Sequence, residues 1–309
     1  MDAGSSTPCF FVRCGPASSA TNRSLKVNEW IVIPVHNRRN VTLECLAHLA
    51  ETGDLSRFRV LVVDDGSSDG TTESIRQRFP EVLLARGNGD LWWTGAIALG
   101  MDEAFRQGAS GVCWLNDDCL PEPGTLPALV EWGQRLGAIV SPLCVRSDTH
   151  ARVPTAFVGR LQIHADKGCI EVDGVSGFCV RVPREVWLKI GAPDARRFPH
   201  YYGDTSYTLA AKKAGVRSYL LADYRAQLVR YEPRPESVSE HLRRAAPAAA
   251  NWTALFLSPK SPFRIPTLFW YFIAKYGPTT GAALFAARAL QGQLKWGAHV
   301  LAGGRRKSG

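Results

Sequence analysis

Acidic residues are absent from the last part of this 309-residue chain: residues 241–309 hold no Asp or Glu but ten Arg and Lys. Setting those ten aside leaves 27 basic against 28 acidic residues, so the net charge of +9 resides in the tail. A near-neutral body argues against nucleic acid as a partner. Paired cysteines are lacking too. The eight cysteines stand singly at 9, 14, 45, 113, 119, 144, 169 and 179, which excludes a C-x-x-C or zinc-like interval. Several fall inside apolar runs, where Cys behaves as a small hydrophobe, and a reduced, cytoplasmic setting is expected. No uncharged apolar run reaches the ~18 residues of a spanning helix. Phe10-Phe11-Val12 is too short for a secretory core, and residues 1–26, rich in Ser, Thr, Ala and Gly, read as a disordered or loosely attached arm. Gly87-Asn88-Gly89 is not a dinucleotide fingerprint, because Trp92 stands where the third glycine is needed.

Hydrophobic residues make up 45% of the chain and charged residues 21%, an ordinary globular balance. Short β-branched and apolar runs predict strands at 30–35, 59–63, 81–85, 111–115 and 138–142. Helical apolar spacing predicts helices at 41–51, 71–79, 96–107 and 126–136, with Asp69 as a cap for the second. This alternation implies an α/β fold, a mostly parallel sheet flanked by helices. Residues 157–182 break into short β-like pieces with turns at Asp166-Lys167-Gly168 and Asp173-Gly174, and helices are expected at 184–190 and 205–214. Residues 27–240 are expected to form the α/β domain and 241–309 a basic, aromatic helical extension.

Two acidic clusters close two of the apolar runs. One is Asp64-Asp65-Gly66-Ser67-Ser68-Asp69-Gly70-Thr71, the other Asn116-Asp117-Asp118. Open α/β sheets bind ligands at the carboxyl ends of their strands. Two carboxylate clusters there suit a divalent metal and a phosphorylated ligand. An Asx-rich turn capping the next helix accounts for residues 67–71, but not for two carboxylates directly at the strand end.

Pro34-Val35-His36-Asn37-Arg38, the Asp64–Thr71 run and Asn116-Asp117-Asp118, in that order, resemble the successive signatures of the family-2 inverting glycosyltransferases of GT-A fold, over roughly residues 28–230. Gly89-Asp90-Leu91-Trp92-Trp93-Thr94-Gly95-Ala96 is similar to a branch described as rhamnosyltransferase-like. The resemblance implies a GT-A-type Rossmann-like sheet and transfer of a sugar from a nucleotide-sugar donor to a hydroxyl of a saccharide or lipid-linked acceptor, as in cell-surface polysaccharide assembly. It implies Mg²⁺ or Mn²⁺ held by Asp118, with Asp117 beside the ribose or the metal. Asp65 would accept from the base edge and Asp64 would hold the loop or ribose. Pro34 and His36 would line the nucleoside pocket, and Asn37 and Asn116, in the same motifs, would join them in binding the donor. Asp90 would contact the donor sugar, Trp93 would offer it an aromatic face, and the backbone at Gly177 would pass close to the sugar or diphosphate. Trp92 and Trp93 also suit a packing role in a loop feeding a helix.

Inversion needs a general base for the acceptor hydroxyl. The run from Arg197 to Tyr207 resembles the family's acceptor-site segment, and Asp204 aligns with the base; it also suits a helix N-cap. Gly203 replaces the usual preceding Glu, Ser206 replaces a common acid, and no His follows in Leu228-Val229-Arg230-Tyr231-Glu232, where many relatives add a metal ligand. Arg230 is a candidate diphosphate contact.

The tail crowds aromatics such as Trp252, Phe256, Phe263, Trp270 and Tyr271 among its bases. That combination suits peripheral, in-plane attachment to an anionic membrane on the inner face of the cell membrane. A helical cover on the catalytic domain and a homo-oligomer contact are the alternatives. A sugar-1-phosphate nucleotidyltransferase would carry a Gly-rich, basic loop after the first strand, where this chain has Pro34-Val35-His36-Asn37. A non-catalytic nucleotide- or carbohydrate-binding scaffold would not need Asp65, Asp118 and Asp204 together.

Overall fold

Side chains that alternate between two apolar faces make the first strands central and buried on both sides. The computed structural model describes residues 28–244 and 251–305, so the expected arm at 1–26 lies outside the described residues. In chain order the elements are β1 (Glu29–Val35), α1 (Arg39–Glu51), α2 (Asp54–Arg57), β2 (Arg59–Asp64), α3 (Thr71–Arg78), β3 (Leu83–Arg86) and α4 (Trp92–Arg106). There follow β4 (Gly111–Leu115), β5 (Cys119–Pro121), α5 (Thr125–Leu136), β6 (Ile139–Arg146), β7 (Ala156–Val158), β8 (Leu161–Gln162), β9 (Cys169–Val172), β10 (Gly174–Val175) and β11 (Cys179–Pro183). The chain continues through α6 (Arg184–Ile190), α7 (Gly203–Lys213), β12 (Ser218–Leu228), α8 (Val238–Arg244), α9 (Trp252–Phe256), α10 (Ile265–Tyr276) and α11 (Pro278–Arg305).

The main sheet runs β3-β2-β1-β4-β11-β6-β12-β5, with β9 also paired to β12. β1, β2, β3 and β4 are mutually parallel, as are β6 and β12, while β11 enters antiparallel between β4 and β6. Ile31, Ile33 and Val62 face a core with α1, α3 and α5; Trp30, Val32, Leu61 and Val63 face one with α4, α6 and α7. The fold is the expected α/β architecture of GT-A type with a helical extension.

The short elements α2 and β5 had no sequence-based expectation, β6 runs on to Arg146, and three further differences have a physical reason. The longest strand, β12, has no clear signal because Asp223 and Arg225 interrupt its apolar run at a register shift between Leu221 and Arg225. The fourth helix begins at Trp92 rather than at residue 96, since Asp65, in the turn after β2, accepts from the Trp92 N–H. The turn at Asp173-Gly174 gives way to β10, where Gly174 pairs with Phe157.

One polar pair lies inside the sheet. Arg181 on β11 reaches across β4 to Glu29 on β1 in a bidentate ion pair, at 2.6 and 3.1 Å. Both side chains are at most 2% exposed. In the tail, Val238, Leu242, Leu255, Phe256 and Phe263 form their own small core, with Trp252 and Trp296 packed against it. α10 packs on α7 of the main body. Many of the tail's aromatics are thus packing residues, and this part of the tail is a cover. Among the described residues no helix is long and apolar enough to cross a membrane. Cys45, Cys113, Cys119, Cys144 and Cys179 are buried free thiols.

Candidate active site

The turn after β1 and the turn after β2 are stitched together side by side, because these two parallel strands end at the same level. Asn37, with φ of 51°, donates its backbone N–H to Ser67 Oγ, and its side-chain oxygen accepts from the Ser68 N–H, both at 2.8 Å. His36 Nδ1–H donates to the Asp65 carbonyl at 2.6 Å, which leaves Nε2 to accept from the Asn37 amide at 3.0 Å. Asp64 is buried and spends its carboxylate on Ser67 N–H and Thr72 Oγ1–H, so it holds the loop. Asp69 accepts from Thr71 N–H and from Arg39 N–H, serving the first turns of both α3 and α1.

Asp65 is buried as well. Its two carboxylate oxygens accept from Gly89 N–H at 2.8 Å and Trp92 N–H at 2.9 Å. Asp90 follows on this loop, exposed, with its N–H donated to Asn88. Pro34 is half-buried at the end of β1.

The second acidic cluster lies where β4 ends. Asp117 is 4% exposed, and Thr42 Oγ1 and Arg38 Nε donate to its Oδ2, each at 3.1 Å. Arg38 Nη2 donates to Asp118 Oδ2 at 2.7 Å, so one guanidinium bridges both acids. Burial lifts Asp117 to about 6, with the neighbouring Asp118 adding to the rise and Arg38 opposing it. Asp118 is the more accessible, its side chain 22% exposed, and its carbonyl accepts from Val229 N–H of the segment after β12. Arg230 beside it pairs with Glu44 at 3.1 Å. Two carboxylates that already converge on one cation offer the hard oxygen donors that Mg²⁺ or Mn²⁺ would take, and Asp118 and Asp117 would be the residues to hold it. Among the described residues no cluster of three or more His, Cys, Asp or Glu could hold a metal by itself.

Asp204 is the second residue of α7, not its N-cap; Tyr202, with φ of 67°, takes that place. Gly177 N–H donates to Asp204 Oδ2 and Thr205 N–H to Oδ1, both at 2.6 Å. The positive end of α7 faces the carboxylate. A Cβ at Gly203 would lie 2.1 Å from Thr94 Oγ1, which explains why Gly203 stands where the resemblance expects Glu.

Trp92 and Trp93 connect these pieces. Asp65 caps the Trp92 N–H, Trp93 Nε1–H donates to Asn116 Oδ1 at 2.8 Å, and the Trp93 ring packs on Gly177, whose N–H holds Asp204. A Cβ at Gly177 would stand 2.5 Å from that ring and 3.0 Å from Asp204 Cβ. We therefore expect Gly177→Ala to cost about 1–3 kcal/mol and to turn Asp204 aside. A lowered Tm together with slower donor turnover is the expected result; both unchanged would contradict the contact.

Several site residues escaped the sequence reading. Arg38 stood inside a quoted motif as its one base, yet nothing local says that it reaches Asp117 and Asp118. His200 packs edge-on against Trp92 and Tyr201, and burial lowers its pKa, with Lys260 acting in the same direction. Tyr271 of the tail stacks on Tyr202 at 4.3 Å, and Lys260 lies over the Trp92 ring. The tail thus forms one wall of the Asp204 side.

Residues 30–166 match the model of Glycosyl transferase family 2. That segment carries both acidic clusters and ends before Asp204. No curated protein matches the chain. Among solved structures, the chain is similar to GalNAc-T7 with UDP, GalNAc and Mn²⁺ (TM-score 0.54, 13% identity, covering 73% of this chain and 47% of that one). This chain therefore spans about half of that protein's length. It is also similar to the mannosyltransferase PcManGT from Pyrobaculum calidifontis in complex with GDP-Man and Mn²⁺ (0.51, 18%, 94% and 83%). A third likeness is to S. aureus TarS 1-349 (0.51, 14%, 81% and 81%). At these identities the likeness is one of fold.

Proposed function

We propose that this protein is an inverting glycosyltransferase that moves a hexosyl-type sugar from a nucleotide-sugar donor to a hydroxyl of a saccharide or lipid-linked acceptor. The observation that carries the reading is the junction at Trp92-Trp93: Trp92 N–H donates to Asp65, the Trp93 indole donates to Asn116 at the head of Asn116-Asp117-Asp118, and the Trp93 ring packs on Gly177, whose N–H holds Asp204. The family 2 match over residues 30–166 and neighbours solved with UDP, GDP-Man and Mn²⁺ support it. The Gly89–Ala96 run supports a rhamnosyltransferase-like branch and a role in polysaccharide assembly.

Asp204 acts as the base. Its carboxylate takes the acceptor hydroxyl proton as that oxygen bonds to the anomeric carbon and the bond to the diphosphate oxygen breaks. Gly177 and Thr205 N–H groups hold the carboxylate in place for this. Asp118, with Asp117 behind it, would hold the divalent ion, which neutralises charge on the departing nucleoside diphosphate.

A thermal-shift screen of nucleoside diphosphates and nucleotide sugars, with and without Mn²⁺, tests the proposal. At a ligand concentration of 100 Kd, stabilisation of about 2.7 kcal/mol is expected for the matching nucleotide. The Mn²⁺-dependent part should vanish in Asp118→Asn. No shift with any nucleotide would overturn the reading; a shift indifferent to both Mn²⁺ and Asp118 would remove the metal from it.

A further inference from the structure

α11 is a 28-residue helix with one face used and the other bare. On the inner face Gly281 meets the Phe272 backbone, Phe285 packs on Phe269, and Gly292 lies against Phe256 and Val238. On the outer face Ala283, Ala287, Leu290, Leu294, Ala298 and Leu301 recur at three- and four-residue steps, all exposed. Leu290, Leu294 and Leu301 are 61%, 66% and 68% exposed. The stripe runs roughly 27 Å along the helix at 1.5 Å per residue. An apolar stripe of this extent on an outer surface is unusual for a soluble face and calls for a partner.

Charge selects the occupant. α11 contains Arg288, Lys295 and Arg305 and no acid, and the whole of residues 241–309 is free of Asp and Glu. Two copies pairing through this stripe would bring together bases with no opposite charge on either helix, where helix pairing is normally set by complementary charges. An anionic bilayer surface supplies both the apolar layer for the leucines and the negative charge for the bases.

We propose that the outer face of α11 is an interaction surface for an anionic lipid membrane, along which the helix lies in the plane of the headgroups. The tail's own core and its contacts with α7 hold the remaining body beside that surface, with Tyr271 already against Tyr202 at the start of α7. The proposal stands on α11 and not on the transfer chemistry, so either can fail without the other.

The test is co-sedimentation of the full-length chain with vesicles of phosphatidylcholine alone and of phosphatidylcholine with phosphatidylglycerol. Binding to the anionic vesicles that weakens with salt is expected. The double substitution Leu290→Glu with Leu294→Glu should lower that binding at least tenfold while Tm and circular dichroism stay unchanged. Leu290→Gln with Leu294→Gln, which adds no charge, should lower it as well. Wild-type protein left in the supernatant with anionic vesicles, or double variants that bind as well as wild type, would overturn the proposal. So would sedimentation velocity that finds a wild-type dimer converted to monomer by the same changes, since the stripe would then serve a second copy.

Discussion

Replacing Asp204 with Asn is expected to lower the rate of sugar transfer by about 10²–10⁴-fold while leaving nucleotide binding intact. The substitution keeps the size of the side chain and removes its capacity to take a proton. It also sets an amide NH₂ against one of two N–H groups, Gly177 or Thr205, that now donate to the carboxylate at 2.6 Å. Initial rates of nucleoside diphosphate release from the donor identified by thermal shift, with and without acceptor, measure the effect. The nucleotide-induced shift serves as the control, because the acidic clusters belong to β2 and β4 and not to α7. Turnover that survives the change undiminished would reject Asp204 as the base. Loss of the nucleotide shift along with turnover would instead make Asp204 a structural residue of the donor pocket.

The second large effect is on stability. Arg181→Met should destabilise the fold by about 3–5 kcal/mol, because Glu29 would be left charged and buried with no cation and only the Gln134 amide, at 3.4 Å, beside it. In a domain of this size that is a fall in Tm on the order of 10 °C. The pair spans β1 and β11 across β4, at the end of the sheet away from the acidic turns, so the loss is felt by three central strands at once. Adding Glu29→Gln to Arg181→Met removes the stranded charge and should restore most of the loss. Denaturant midpoints of the two single variants and the double variant make the measurement. Additive losses would mean that the two groups do not act as a pair.

Much of the fold was legible because its strands are buried on both faces. Continuous apolar runs placed β1, β2 and β4 almost to the residue, and the acids that follow β2 and β4 marked the carboxyl end of the sheet as the candidate site. β12 was not legible, since a sheet can absorb Asp223 and Arg225 at an irregular register, where a local reading sees only an interrupted pattern. The start of α4 was hidden for a related reason: its Trp92 N–H donates to Asp65, 27 residues upstream, and only the parallel register of β1, β2 and β3 brings that acid there. Arg38 was overlooked because its partners are 79 and 80 positions away. In the tail, composition alone could not separate rings that pack inward, such as Phe256 and Phe263, from leucines left outside on α11.

Tyr202 adopts a backbone angle that non-glycine side chains avoid, at a cost of order 1–3 kcal/mol. It is held there from outside, by the Tyr271 ring on one side and the Arg234 guanidinium over its own ring at 4.8 Å. The residue next but one is Asp204. The aim of the Asp204 carboxylate is therefore fastened in part by a helix some seventy positions later in the chain, alongside the hold that Gly177 takes under the Trp93 ring. Loosening that late clasp would let the backbone relax and swing the carboxylate off target while both acidic turns stayed as they are.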